Sequence, residues 1–449
     1  MTPPFKKATH YLTFMLGLGV CLLVLSGVFN FTLKSGILLL LLFLIGFFLF
    51  LKPFYGFLAV LFLRSTLELL GIQALIEETS LTFNGLLGLL VIGWSCWLAF
   101  KKKEELRRVP GVFLLSGFCF LGFLSLFWSV EPSFSLREAI RILSIFGIYL
   151  AGFLLILTPK KLKKLFYVLV SAGLVQALIA FWQLFTQRGL VVYGEYFRRV
   201  YGSLAYPNSL GFLMVFLGAL LLPYFKQKQS LSKKIFGAAI VLLFSITLFL
   251  TYTRGAWLGF LLIFVLFGLF KYPRLLFGGL VFLLLLYLVA PSFGERLIDI
   301  VRLEPFGSFM WRVRLWQRML PWFFKRPVLG WGIGSFPVLA KQVSGLSPTI
   351  APEAHNDYLR VLVELGTLGL LVYLAIYLRI LTELFYRWKK AKEKTLKGFT
   401  FIMMLVFLSF FLMAAGDNIL RGTAVQWFLW AWTGGLLGIL QRKDKSSAN

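Results

Sequence analysis

The sequence predicts an all-α, polytopic membrane protein with about 12 to 14 transmembrane helices. Three observations carry this expectation. Hydrophobic residues make up 59% of the 449 and mean hydropathy is +0.86, far above a soluble globular chain. Apolar runs of about 18 residues or more recur from end to end, each long enough to cross a bilayer. Basic clusters fall between runs and alternate with less basic loops, which is how a multi-pass chain encodes its topology.

Taken in order, spans are expected at 11–29, 36–51, 54–74, 81–100, 111–128, 138–157, 165–186, 207–225, 235–252, 255–270, 275–291, 359–380, 399–415 and 424–440. The first two are short, so 12 or 13 spans also fit. No small-residue cleavage site follows the first run, which reads as a retained helix. Cys21, Cys96 and Cys119 lie inside apolar runs. Their spacing suits neither a disulfide framework nor a zinc site, and they read as packing residues.

The formal charge of +28, from 46 Lys and Arg against 18 Asp and Glu, would suggest nucleic acid in a soluble chain. Here it is grouped in "KKKEELRR" (101–108), "KKLKK" (160–164), "KQKQSLSKK" (226–234), "KYPR" (271–274), "RWKKAKEKTLK" (387–397) and "QRKDK" (441–445). These read as cytoplasmic, so no nucleic-acid partner is expected and both termini fall in the cytoplasm. The outer loops are then "EETS" (77–80), "WSVEPSFSLRE" (128–138), "QRGLVVYGEYFRRVYGSLAYPN" (187–208), the turn at Arg254, a long loop near 292–356, and "GDNILRG" (416–422).

The long outer loop has no spanning run. Its segment "MWRVRLWQRMLPWFFKRPVLGWGIGSFPVLAKQV" interleaves Trp311, Trp316, Trp322 and Trp331 with Arg312, Arg314 and Arg318. It reads as a short interfacial helix followed by a turn at Gly330, Gly332 and Gly334.

The candidate chemistry lies on the outer side. Arg254 sits between two apolar runs, flanked by Thr251, Thr253 and Gly255. An arginine at that depth either faces a cavity or partner or snorkels from a helix end. Arg312, Arg314 and Arg318 suit lipid headgroups or a bound pyrophosphate. Arg198 and Arg199 precede Asn208, whose simplest role is to cap the next span. His355 is one of only two histidines. It can take a proton from an attacking hydroxyl or serve as a polar cap at the start of its span. Asp357, Arg360 and Glu364 share one helix face, where both carboxylates can pair with Arg360. That trio reads as structural support. Glu353, His355 and Asp357 are weak evidence for a metal, and no cofactor is expected. Tyr193, Tyr196, Tyr201, Trp311 and Trp331 can stack on sugars at the rim.

Arginines that hold a diphosphate, a histidine that activates a hydroxyl and a rim of aromatic residues together fit glycan transfer from a lipid diphosphate. A transporter would instead spread ionisable groups through the mid-plane. Arg64 and Glu68 are the only such pair drawn deep in a span, and at i, i+4 they can satisfy each other.

"AHNDYLRVLVELGTLGLLVYL" resembles the His-Asn-x-Tyr-Leu…Glu-x-Gly-x-x-Gly signature of the O-antigen ligase and O-antigen polymerase superfamily. "YTRGAWLG" and "WRVRLWQRMLPWFFKRPVLGWGIGSF" resemble two further segments of that family, and "WSVEPSFSLREAIR" and "YGSLAYPNSLG" match weaker ones. The resemblance spans roughly 120 to 440. It implies a GT-C-like, metal-independent glycosyltransferase in the bacterial inner membrane, with its site facing the periplasm. The donor would be an undecaprenyl diphosphate-linked glycan, and the acceptor lipid A-core for a ligase or a lipid-linked repeat unit for a polymerase. A superfamily member that glycosylates protein hydroxyls fits less well.

By motif position, the resemblance assigns catalysis to His355 and diphosphate binding to Arg254 and Arg312. Arg314 could share the role of Arg312, and Arg198 or Arg199 would supply a third arginine. Asn356, Asp357, Glu364 and Trp316 are candidates for acceptor contact or structural support. The chain is expected to divide into N-terminal helices (1–110), a ligase-like core (111–440) that includes the periplasmic loop 292–358, and a cytoplasmic tail (441–449).

Overall fold

The computed structural model describes residues 33–75, 82–191, 198–226, 230–271, 273–289, 308–343 and 353–446. The chain is an all-α polytopic membrane protein. Among the described residues, nine helices are long and apolar enough to cross a membrane. The expected first span, 11–29, and the loop "EETS" lie outside the described residues, as do Cys21, Tyr193 and Tyr196. Among the described residues, the body of each other expected span falls on helix, with one break in 54–74.

The main helices are α1 (Leu33–Leu51), α2 (Pro53–Thr66), α3 (Phe83–Lys101), α4 (Val112–Leu124), α5 (Pro132–Leu155), α6 (Pro159–Phe185), α7 (Pro207–Leu221), α8 (Leu231–Leu250), α9 (Arg254–Lys271) and α10 (Pro273–Val289). They are followed by the interfacial α11 (Ser308–Lys325), a short α12 (Phe336–Lys341), then α13 (Asp357–Lys390), α14 (Lys394–Met413) and α15 (Thr423–Ser446). The described sheet is one small hairpin, β1 (Leu190–Val191) with β2 (Arg198–Arg199), in which Leu190 faces Arg199.

One expected span is broken. The run 54–74 forms α2, a break at Leu67 and a single turn at Glu68–Gly71. At the break Arg64 and Glu68 pair at 3.2 Å, both buried, as their spacing predicted. The carbonyl freed at Ser65 accepts from Gln176 at 2.7 Å and from Ser203 at 2.9 Å. Polar side chains from α6 and the hairpin region thus satisfy backbone that lipid could not.

The packing centre is α15 against α5. Trp427, Trp432, Leu436 and Ile148 are fully or almost fully buried. The two backbones touch through glycine. A Cβ on Gly434 would stand 2.4 Å from the Tyr149 carbonyl, and one on Gly152 would stand 2.5 Å from that of Ala431. Small residues allow this approach between apolar helices that gain little from hydrophobic contact in lipid.

The contacts sort the loops into two ends. At one end the basic segments meet: Lys102 reaches the Leu154 carbonyl, Arg442 pairs with Glu105, Arg387 with Asp444 and Lys443 with Glu393. At the other end the starts of α5, α7, α9, α13 and α15 converge with α11. The alternation read from the basic clusters is therefore the arrangement of the fold.

Candidate active site

His355 stands two residues before α13 and has φ 46°, a left-handed backbone that is uncommon outside glycine. The next residue, Asn356, is the N-cap, and its side chain accepts from the Leu359 N–H at 3.0 Å. Capping therefore belongs to Asn356 and not to His355. Asp357 N–H donates to the Ala414 carbonyl at 2.8 Å, and its carboxylate accepts from Leu420 N–H at 2.8 Å. The start of α13 is tied in this way to the loop between α14 and α15.

That loop brings Asp417 to the histidine. His355 Nδ1 lies 3.4 Å from Asp417 Oδ1, with the imidazole partly exposed and the carboxylate buried. Asp417 Oδ1 also accepts from Asn418 N–H at 2.8 Å, and Oδ2 accepts from Asn208 Nδ2 at 2.6 Å. Burial alone would raise this carboxyl. The His355 contact, the charge of Arg312 and the Asn418 N–H outweigh it and hold Asp417 below its ordinary value. A carboxylate on Nδ1 favours the tautomer with its proton there and leaves the Nε2 lone pair for another partner. Trp311 stands edge-on to the imidazole at 6.2 Å.

The arginines are set from three elements. Arg199, on β2, donates from Nε to the Thr251 carbonyl at 2.8 Å. Its Nη2 reaches Asn208 Oδ1 at 2.6 Å and Thr253 Oγ1 at 3.1 Å. Arg198, its strand neighbour, is exposed, as alternation along a strand requires. Asn208 is not the cap of α7: the helix begins at Pro207 with Tyr206 at the N-cap, and the amide is spent bridging Arg199 and Asp417. Arg254 opens α9 after a tight turn in which Tyr252 has φ 49°. It follows directly on Thr253, a partner of Arg199.

On α11, Arg312 donates to the Gly416 carbonyl at 2.5 Å, one residue from Asp417. Trp316, four residues on, donates to the Ala354 carbonyl at 2.7 Å, one residue from His355. Leu315 and Met319 bury the same side against Ala354 and Val363. Arg314 is two residues from Arg312, about 200° around the helix, so its register sets it on another face. Trp331 donates to the Trp322 carbonyl at 2.7 Å and lies under Arg326. It is half-buried and packs within the loop.

A second layer braces the start of α13. Arg360 pairs with Glu364 at 3.0 Å, as expected, but not with Asp357. Its other partner is Glu138 of α5, also at 3.0 Å, because a neighbouring helix supplies the acid that helix spacing cannot reveal. Glu138 further holds Arg141 at 2.6 Å and lies 3.6 Å from Arg421, which pairs with Glu353 at 3.0 Å. Glu353, His355 and Asp357 thus turn to three different partners and do not converge as a metal-binding trio.

Helix α13 is interrupted at Gly366 (φ 65°, ψ −168°). The 327–332 loop fills the break. Thr367 N–H donates to the Pro327 carbonyl at 2.8 Å, while Trp331 and Gly332 N–H donate to Val363 and Glu364 carbonyls at 3.1 and 2.8 Å. Glu364 also accepts from Phe336 N–H at 3.2 Å. Gly330, Gly332 and Gly334 all have positive φ, which bears out the turn read from their spacing.

The structure thus brings together His355, Arg199, Arg312, Asn356 and Trp316, with Arg254 beside the Thr253 partner of Arg199. It adds Asp417, Asn208 and Glu138. The sequence did signal Asp417 weakly, as an acid in the outer loop "GDNILRG". What it could not show was which outer residue it would meet.

A family model described as O-Antigen ligase matches residues 238–374. The resemblance to the O-antigen ligase and polymerase superfamily holds. The matched segment is about a third of the chain and contains Arg254, Arg312, Arg314, Trp316, His355, Asn356, Asp357 and Glu364. Arg199, Asn208 and Asp417 lie outside it. The match supports an O-antigen ligase or polymerase type of activity, glycosyltransferase-like, in a multi-pass bacterial membrane protein. No curated protein matches the chain. Among solved structures, a chain from "Structural coordination of polymerization and crosslinking by a peptidoglycan synthase complex" aligns with a TM-score of 0.44 at 17% identity. That alignment covers 74% of this chain and 97% of that one.

Proposed function

We propose that the protein is an O-antigen ligase. It transfers a glycan from undecaprenyl diphosphate to a sugar hydroxyl of lipid A-core at the periplasmic face of the bacterial inner membrane. The observation that carries this reading is the contact of His355 with the buried Asp417 beside the arginines.

The acceptor oxygen forms a bond to the anomeric carbon of the donor sugar. The bond from that carbon to the diphosphate oxygen breaks, and its electron pair leaves with the diphosphate. The hydroxyl proton passes to Nε2 of His355. Asp417 stabilises the imidazolium that results, and the 3.4 Å contact shortens as the ring gains charge. Arg199, Arg254 and Arg312 hold the diphosphate and favour its developing charge. A guanidinium has five N–H donors, so those that hold the fold leave others for the ligand. Arg314 contacts headgroups from its own face of α11. Asn356, Asp357, Glu364 and Trp316 support His355 from behind.

The test is transfer by purified protein given lipid-linked glycan with two acceptors, lipid A-core and a single lipid-linked repeat unit. A ligase yields product on core together with free undecaprenyl diphosphate, and His355→Ala abolishes it. A ladder of lengths on undecaprenyl diphosphate would make the protein a polymerase. Transfer that survives both His355→Ala and Arg254→Ala would refute the site.

A further inference from the structure

At the end of the bundle remote from His355, a cavity of about 370 Å³ opens between the α1–α2 junction and the α5–α6 turn. Leu155 on its wall lies seventeen residues along α5 from Glu138, about 25 Å at 1.5 Å per residue. Lys52, Lys161 and Lys164 surround the cavity with Phe54 and Tyr55. No carboxylate lines it, and among the described residues none of the three lysines forms an ion pair.

Two of the three lysines are tied to the cavity wall. Lys161 donates to the Leu155 carbonyl at 3.1 Å and lies over the Phe54 ring at 5.0 Å. Lys164 donates to the Tyr55 hydroxyl at 2.8 Å and lies over that ring at 4.9 Å. Each ammonium has three donors, so both keep N–H groups for a ligand. The flank is apolar and open: Phe50, Leu51 and Tyr55 are about half exposed (48%, 50% and 52%). Topology alone asks for positive charge at this end but not for convergence. Lys160 and Lys163 supply the same charge from the same turn but do not line the cavity; Lys52 and Lys164, which do, are exposed as well.

We propose that this cavity binds a phosphate group, and that a membrane lipid carries it: the headgroup sits among Lys52, Lys161 and Lys164, and the acyl chains lie along Phe50 and Leu51. Basic pockets between helices at a membrane surface suit anionic headgroups, and the cavity volume is in the range of small-ligand sites. The inference is independent of the reading of His355, and its test does not use glycan transfer.

The experiment uses the full chain in nanodiscs of phosphatidylcholine containing about one fifth phosphatidylglycerol. Phosphatidylglycerol that stays bound after exchange into detergent is counted by native mass spectrometry. Wild type is expected to retain it. Lys161→Gln with Lys164→Gln should weaken retention about 30-fold, at about fivefold per lysine. The double arginine variant at the same positions, which keeps the charge, should retain the lipid. Lys160→Gln with Lys163→Gln should stay within twofold of wild type, and equal loss in that pair would reduce the effect to general surface charge and overturn the site. Millimolar inorganic phosphate should leave the lipid in place; displacement by it would assign the cavity to a free anion and overturn the lipid.

Discussion

His355 is held in a backbone conformation that costs about 1–3 kcal/mol for a non-glycine residue. Asn356 as cap and Asp357 on the 414–420 loop fix the chain on its C-terminal side. Strain of this kind, fixed by its surroundings, is common at active sites. Asp417→Asn keeps the shape and removes the charge that stabilises an imidazolium. It should lower transfer about 10- to 100-fold, the range for partners that orient a functional histidine, with little change in acceptor KM. The same variant carries a pH signature. Asp417 is depressed in the folded protein, so its stabilisation is fully present above the unfolded carboxyl value of about 3.9 and is lost as pH falls through the lower folded value. The gap in Tm between wild type and Asp417→Asn should therefore be open at pH 5 and close below about 4. A gap already closed at pH 5 would mean that the depressed carboxylate is not its source. The hairpin offers a second contrast. Arg199→Ala should cut transfer at least tenfold, whereas Arg198→Ala should leave it near wild type, because only Arg199 reaches Asn208 and Thr253. Equal loss in both would show that the hairpin contributes charge and not geometry.

At the scale of elements, the break in α13 sets where its first turns point. A Cβ on Gly366 would meet the Val328 carbonyl at 2.2 Å, with φ at 65°. Gly366→Ala should therefore lower stability by about 2 kcal/mol or more through strain and clash, and reduce transfer by moving His355. Gly117→Ala on α4, where nothing stands within 4 Å of the new Cβ, should be neutral or stabilising by about 0.5–1 kcal/mol. Thermal melts in detergent compare the two directly, and a Gly366→Ala that melts with wild type would mean that the 327–332 loop does not hold the break. Helix positions were legible in the sequence because apolar runs of span length and the basic clusters between them are local signals. The glycine turn at 330–334 and the Arg64–Glu68 pair were legible for the same reason. The break after Thr66, the role of Asn208 and the Arg360–Glu138 pair were not. Each depends on a partner far away in the chain, and periodicity reports a face without saying what it meets.

The molecule as a whole is polar at two ends with different chemistry. One end gathers His355, Asp417 and the arginines. The other gathers the lysine-rich loops, several of them paired through Glu105, Glu393 and Asp444. The motif residues alone did not reveal this division of labour, because Arg199 and Asp417 come from opposite sides of the matched family segment and are bridged by Asn208. The fold sets the two ends opposite each other, and the positive-inside rule predicts that the lysine end faces the cytoplasm. That assignment decides which pool of lipid-linked glycan the site can reach. In a variant lacking Cys21, Cys96 and Cys119, a single cysteine is placed at exposed Arg198 or at exposed Lys163. A membrane-impermeant thiol reagent applied to cells with a permeabilised outer membrane should label the position-198 variant and spare the position-163 variant until the inner membrane is opened. The reverse pattern would put the arginines and His355 in the cytoplasm and remove a periplasmic donor from consideration, whatever the transfer assay gave in detergent. Because the two ends are joined by the same packed helices, labelling at 198 and protection at 163 must change together.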